Sequence, residues 1–160
     1  MATRRSLRDE DLDAVIGAVL RATQAFVGLA LRSLAAAGTT ITLAQYRMLA
    51  VLADDDGQNV RDLALRLRVD RSTATRMCNR LVTAGLLDRA GDPADGRAVV
   101  ISLTDEGRAV VGAVTRARRA NVAALMRTLP RARREQLIDL LDEFAALAEQ
   151  DVPADQDPCR

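Results

Sequence analysis

Between Asp70 and Ala84 the chain carries Arg71, Ser72, Thr73, Thr75, Arg76, Asn79 and Arg80, and no Asp or Glu occurs from Arg71 to Leu87. Guanidinium groups are rigid forks of donors, while hydroxyls and amides both donate and accept. Such a set suits hydrogen bonding to phosphate oxygens and base edges. On a helical wheel with about 100° per residue, Ser72, Thr75, Arg76 and Asn79 cluster, flanked by Arg71, Thr73 and Arg80. Ala74, Met77, Leu81 and Ala84 fall on the opposite side, with Cys78 at its edge. An ordinary solvated helix face mixes acids with bases at i,i+4 spacing. Ser and Thr are also mediocre helix formers, so neither solvation nor propensity accounts for this face. A surface that reads a major groove does.

Other chemistries are poorly supplied. Histidine is absent, which removes imidazole acid–base catalysis, the Ser-His-Asp arrangement and most zinc sites. The two cysteines, Cys78 and Cys159, have no metal-ligand spacing, and there is no glycine-rich phosphate loop. The expectation is therefore no enzyme: no catalytic residue, no cofactor and no metal. With so few thiols a disulfide framework is not expected, and the chain reads as cytoplasmic. No uninterrupted run of about 18 apolar residues is found, so no membrane span is expected. Charges near Met1 to Asp13 are not followed by an apolar h-region, so no secretory signal is expected either.

The elements that must hold the polar face follow from composition and periodicity. A length of 160 residues suits one well-buried domain, and 49% hydrophobic with 28% charged residues is a globular balance. Only 2% of residues are aromatic, so Leu, Val and Ala must build the core, which favours packed helices. The net charge of +1 conceals a polarity: Arg61, Arg66, Arg68, Arg71, Arg76 and Arg80 meet only Asp62 and Asp70, whereas every charge from Glu135 to Asp157 is acidic. One region can meet a polyanion and another repels it.

Leu12, Val15, Ile16, Val19, Phe26, Ala30 and Leu34 predict a helix from about Glu10 to Ala37, with Gly38 beyond it. Thr42-Leu43-Ala44-Gln45 is a capping-box pattern opening a helix to about Ala53, closed by Asp54-Asp55-Asp56-Gly57. Asn59 caps a short helix, Val60 to Leu67, and Asp70 caps the next, from Arg71 to about Ala84. Leu86 to Ala90 and Arg97 to Leu103 then read as a hairpin, with Val99, Ile101 and Leu103 on one side and Gly91 to Gly96 as its loop. Thr104 caps a long helix to about Leu129, and Pro130 opens a last one bearing Leu137, Leu140, Leu141, Phe144 and Leu147. The tail after Gln150 reads as disordered.

Helix, short helix, tight turn, helix, hairpin is the order of a winged helix-turn-helix. The fold class expected is mainly α: a winged helix-turn-helix with a two-stranded β wing and long N- and C-terminal dimerisation helices. Residues 10–40 form the N-terminal dimerisation helix, 41–104 the DNA-binding region, 105–150 the C-terminal dimerisation helices and 151–160 the tail. Apolar stripes on the first and last helices exceed what the region between them can cover, so burial against a second copy is the economical solution.

From about Leu12 to Ala148 the sequence resembles the multiple antibiotic resistance regulator (MarR) family of bacterial transcription factors. The resemblance is carried by Leu43-Ala44-Gln45-Tyr46, Val69-Asp70-Arg71-Ser72-Thr73-Ala74-Thr75-Arg76 with Gly85-Leu86-Leu87, Asp92-Pro93-Ala94-Asp95-Gly96-Arg97, and Leu103-Thr104-Asp105-Glu106-Gly107. It implies a triangular homodimer joined through its terminal helices. It also implies that Ser72, Thr73, Thr75, Arg76 and Asn79 form the recognition face. Asp95 and Arg97 match an Asp-x-Arg wing motif, whose arginine enters a minor groove, where negative potential concentrates. Gly96 stands where many members have a second arginine, and Arg68 where many have glycine. A left-handed Arg68 would carry strain of order 1 kcal/mol, and its side chain is a candidate phosphate contact.

The function this implies is a sequence-specific transcriptional regulator. It is a repressor that binds a pseudo-palindromic operator in double-stranded DNA as a homodimer, open to release by a small-molecule effector of unstated identity. The alternative is an architectural DNA-binding protein with no effector response. Tyr46 and Phe26 are candidates to line an effector pocket, although packing alone accounts for both. Cys78 reads as a small core residue. The basic run Arg116, Arg118, Arg119, Arg127, Arg131, Arg133 and Arg134 is expected to pair with the acidic last helix, the alternative being a role near DNA or for an anionic effector.

Overall fold

The computed structural model describes residues 2–91 and 99–150. In chain order the elements are α1 (Ala2–Ala36), α2 (Leu43–Asp54), α3 (Val60–Leu67), α4 (Arg71–Thr83), β1 (Leu87–Gly91), β2 (Val99–Leu103), α5 (Asp105–Arg127) and α6 (Arg131–Gln150). The element order is that of the sequence reading. Its largest difference is the start of α1, which runs back to Ala2 because neither Pro nor Gly interrupts the segment before Asp13. The expected tail, from Asp151 onward, lies outside the described residues.

The helix starts are fixed by side chains. Thr42 and Gln45 form a reciprocal capping box: the Gln45 N–H donates to Thr42 Oγ1 at 3.2 Å, and the Thr42 N–H donates to Gln45 Oε1 at 2.8 Å. Asn59, Asp70 and Thr104 cap α3, α4 and α5 in the same sense, each accepting a backbone N–H three residues on.

Two apolar clusters organise the chain. Met48, Leu49 and Leu52 of α2, Leu63 and Leu67 of α3, and Ala74, Cys78 and Leu81 of α4 pack with Leu87, Ile101 and Leu103 of the wing. A smaller cluster joins Leu34 of α1, Tyr46 of α2 and Val114 of α5. Leu29, Ala30 and Ser33 are also buried at this end of α1, and Ser33 is bridged to α5 by Asn121 Nδ2 at 3.2 Å.

The terminal helices are otherwise bare. Every described α6 residue is exposed except the partly buried Leu137, and Leu12, Val15, Ile16 and Leu20 of α1 lie open. The expectation that no segment could cross a membrane fails on composition. Asp11–Ala36 is long and apolar enough, because Ala, Val and Gly fill the spaces between a few charges. Its C-terminal third packs on α5.

β1 and β2 pair antiparallel, from Leu87 opposite Leu103 to Gly91 opposite Val99. Of the side expected to face inward, Ile101 and Leu103 are buried while Val99 is exposed, because Val99 lies at the far end of the hairpin, away from the core. Arg97 and the loop from Asp92 lie outside the described residues. The two-stranded sheet is joined by an isolated bridge that the sequence did not announce: Gln58 pairs with Ile101 through backbone bonds of 3.1 and 2.8 Å. The hairpin is thereby tied to the loop before α3.

Candidate nucleic-acid interface

α3 and α4 meet through Arg68, Val69 and Asp70. Arg68 takes a left-handed conformation, φ 55° and ψ 51°, the one positive φ on a non-glycine residue among the described residues. The turn is held by Arg68 N–H to the Leu65 carbonyl and Val69 N–H to the Ala64 carbonyl, both 3.1 Å. The conformation anticipated for Arg68 is present, and its side chain is exposed.

Asp70 then starts α4. Its carboxylate accepts from Thr73 N–H at 2.8 Å, Thr73 Oγ1 at 2.6 Å and Ser72 Oγ at 2.5 Å. The bond from Ser72, followed by those from Thr73, holds the Asp70 carboxyl far below the usual carboxylate range. Thr73 Oγ1 in turn accepts from Arg76 Nη2 at 3.0 Å. One carboxylate thus orders the first turn of the helix and reaches Arg76 through a hydroxyl.

Ala74, Cys78 and Leu81 face the core. Arg71, Ser72, Arg76, Asn79 and Arg80 are exposed, while Thr73 and Thr75 are partly buried. Arg71, Ser72, Thr75 and Arg76 line a broad open hollow of about 690 Å³. The inner face is rotated from the wheel expectation. Cys78, assigned to its edge, is fully buried, and Met77 only partly so. Ala84, assigned inward, is exposed because α4 ends at Thr83 and Ala84 is its C-cap. The Cys78 thiol donates to Met48 Sδ at 3.6 Å, and burial pushes its pKa up, so it is a core side chain and not a reactive thiolate. Asp95 and Arg97 lie outside the described residues.

Sequence reasoning missed the residue that fastens the wing. Asp56 accepts from the Leu103 N–H at 2.9 Å and from Arg108 Nη2. Burial raises its pKa, but bonds from Leu103, Arg108 and Gly57 outweigh that and leave it lowered. The acidic run before Gly57 reads only as a turn, and nothing in the sequence joins it to a helix 52 residues on. Gly107 is equally constrained: a Cβ there would overlap the Leu86 carbonyl oxygen. Its presence in the Leu103 to Gly107 block was the available signal.

A second hollow, about 500 Å³, lies between α2 and α5 and is lined by Tyr46, Thr115, Arg118, Arg119, Val122 and Ala123. Tyr46 Oη sits 3.4 Å from Thr115 Oγ1. Phe26 is not part of this lining. Of the basic run, Arg131 alone forms an ion pair among the described residues, and its partner is Glu135 on the same helix. The wider pairing expected with α6 is not observed there, because α6 does not fold back onto α5.

A helix-turn-helix whose second helix is capped, acid-free and outward-facing, followed by a β hairpin, defines a winged-helix DNA-binding protein. Residues 39–98 match the sequence profile of the MarR family. The chain is 42% identical over 89 residues to the HTH-type transcriptional regulator TtmR of Methylorubrum extorquens, a match spanning 56% of this chain and 45% of that one. It is 29% identical over 120 residues to the homoprotocatechuate degradative operon repressor of Escherichia coli, covering 73% and 81% of the two chains. The crystal structure of RV1404 from Mycobacterium tuberculosis superposes with a TM-score of 0.79 at 34% identity, covering 89% of this chain and 97% of that one. The chain belongs to the MarR family: it is a DNA-binding transcriptional regulator and not an enzyme.

Proposed function

We propose that this regulator is a cytoplasmic repressor that binds a pseudo-palindromic operator as a homodimer and is released by a small anionic effector. The observation that carries the reading is the outer face of α4. Arg71, Ser72, Thr73, Thr75, Arg76, Asn79 and Arg80 belong in the major groove, and Asp95 and Arg97 are assigned to the wing contact from the sequence motif. Regions 41–104 and 10–40 with 105–150 are then the operator-binding and dimerising parts. Support for the dimer comes from α6 and the N-terminal half of α1, whose exposed Leu, Ile, Val and Phe side chains have no cover among the described residues. Two-fold symmetry would set the recognition helices about 34–36 Å apart, one turn of duplex.

The hollow between α2 and α5 supports the effector. Arg118 and Arg119 offer charge to an anion, Tyr46 and Thr115 offer hydroxyls, and Val122 and Ala123 an apolar wall. Repression is the role in the name of the Escherichia coli relative. Selection of bound genomic fragments, followed by fluorescence anisotropy over a salt series, tests the reading. Arg76→Ala is expected to relax base preference. Arg97→Ala is expected to weaken binding and reduce the salt slope by about 1. Unchanged affinity and slope in both variants would defeat the site assignment. Equal affinity for operator and random duplex would favour the architectural alternative.

A further inference from the structure

The hydroxyls on the first turns of α4 are not free rotors. Ser72 Oγ lies 2.5 Å from Asp70 Oδ1, Thr73 Oγ1 2.6 Å from Asp70 Oδ2, and Thr75 Oγ1 2.8 Å from the Arg71 carbonyl. Carboxylate and carbonyl oxygens only accept, so the hydroxyl supplies the proton in every one of these pairs. Turning the Ser72 proton outward would set a lone pair against a carboxylate oxygen and forfeit a charge-assisted bond. What Ser72 and Thr75 offer to the outside is lone pairs alone. Thr73 gives its own lone pair to Arg76 Nη2 at 3.0 Å, so it steadies that guanidinium. Arg71 and Arg76 line the same hollow as Ser72 and Thr75, and arginine only donates.

Serine and threonine ordinarily contact either kind of base edge, because the hydroxyl can reverse its proton. Here that ambivalence is removed. Resting on α4 as the helix that enters the major groove, we infer that Asp70 is a positioning residue that fixes the hydrogen-bond polarity of the readout. Ser72 and Thr75 act as acceptors only, and select bases that present an amino group, cytosine at N4 or adenine at N6. Guanine and thymine present only acceptors at those places in the groove and are rejected. Arg71 and Arg76 supply the opposite polarity and select guanine.

Selection from randomised duplexes with the full-length chain gives the sequence on which to test this. In the enriched duplex, cytosine is replaced by 2-pyrimidinone and adenine by purine, one position at a time. Each exchange removes the amino group and keeps the ring. At one or two positions per half-site the loss is expected to weaken the native protein about fivefold, the worth of one hydrogen bond, and Ser72→Ala or Thr75→Val should be indifferent to it. Ser72 Oγ and the capping Thr73 N–H share Asp70 Oδ1, so Asp70→Gly, which removes both carboxylate oxygens and leaves a residue tolerated at the N-cap, frees the serine proton. Guanine and thymine are then expected to rise at the position where Ser72→Ala relaxes preference. Guanine or thymine preferred there by the native protein overturns the inference while operator binding stands, as does an unaltered profile in Asp70→Gly. Failure to enrich any duplex overturns it together with the reading on which it rests.

Discussion

Replacing Gly107 by alanine sets two opposite effects against each other within one helix. Alanine is the better helix former by about 1 kcal/mol, and it lowers the entropy of the unfolded chain. Against this, a Cβ at position 107 would overlap the Leu86 carbonyl oxygen and stand 3.0 Å from Leu103 Cδ2. Backbone cannot swing aside as a side chain does, so α5 must lift from the wing base. Overpacking of this kind costs about 1–3 kcal/mol. The lift also strains the bonds from Thr104 N–H to the Leu86 carbonyl at 3.3 Å and from Thr104 Oγ1 to the Gly85 carbonyl at 2.7 Å, worth about 1 kcal/mol each. A net loss of about 2 kcal/mol is expected, or about 4–8 °C in Tm for a chain of this size. Gly112 provides the control, because a Cβ there meets only the movable end of Arg116, at 3.2 Å. Gly112→Ala is expected to gain about 0.5–1 kcal/mol. Urea and thermal melts at one fixed protomer concentration measure both. If Gly107→Ala is as stable as the native chain, or both variants shift in the same direction, the close approach does not govern this junction.

Arg68→Gly removes the left-handed strain and is expected to raise stability by about 1 kcal/mol in thermal melts; no gain would mean that the turn tolerates arginine freely. The lowered carboxyl of Asp56 contributes stability above its unfolded value of about 3.9, and that contribution is lost as pH falls through the lower folded value. Asp56→Asn should therefore be less stable than the native chain near pH 7, with the gap closing below about pH 4; a gap constant across urea melts from neutral to acid would refute the assignment. Phe144→Glu places a charge on the uncovered apolar surface of α6 and should shift sedimentation of the proposed dimer to monomer without unfolding the chain. A dimer unaffected by that charge would place the contact elsewhere.

The sequence made the helices legible because their starts are written in side chains. Thr42 with Gln45, Asn59, Asp70 and Thr104 are local signals, and each makes its expected bond. The polar outer side of α4 was legible for a similar reason, since neither solvation nor helix propensity produces an acid-free run of Arg, Ser and Thr. Its inward side was less so. Periodicity alone cannot say which of the adjacent apolar residues Met77 and Cys78 is central, and that is decided by α2, which sets Met48 against Cys78. Gln58 pairs with Ile101 through a single bridge, too short to leave any alternation. Asp56 and Arg108 are joined only in space. Such long-range choices belong to packing and leave no periodic trace.

Ser33 is fully buried, donates to the Leu29 carbonyl at 2.7 Å and accepts from Asn121 at 3.2 Å. Sliding α1 along α5 by a single residue would keep the bond to Leu29 but part Ser33 from Asn121, at about 1 kcal/mol, and take Leu34 out of step with Val114 of α5. The two long helices are thereby pinned at one setting, like the arms of a calliper at their rivet. A change of span between the N-terminal half of α1 and the α4 surface is then easier by swinging about that rivet than by lengthwise creep.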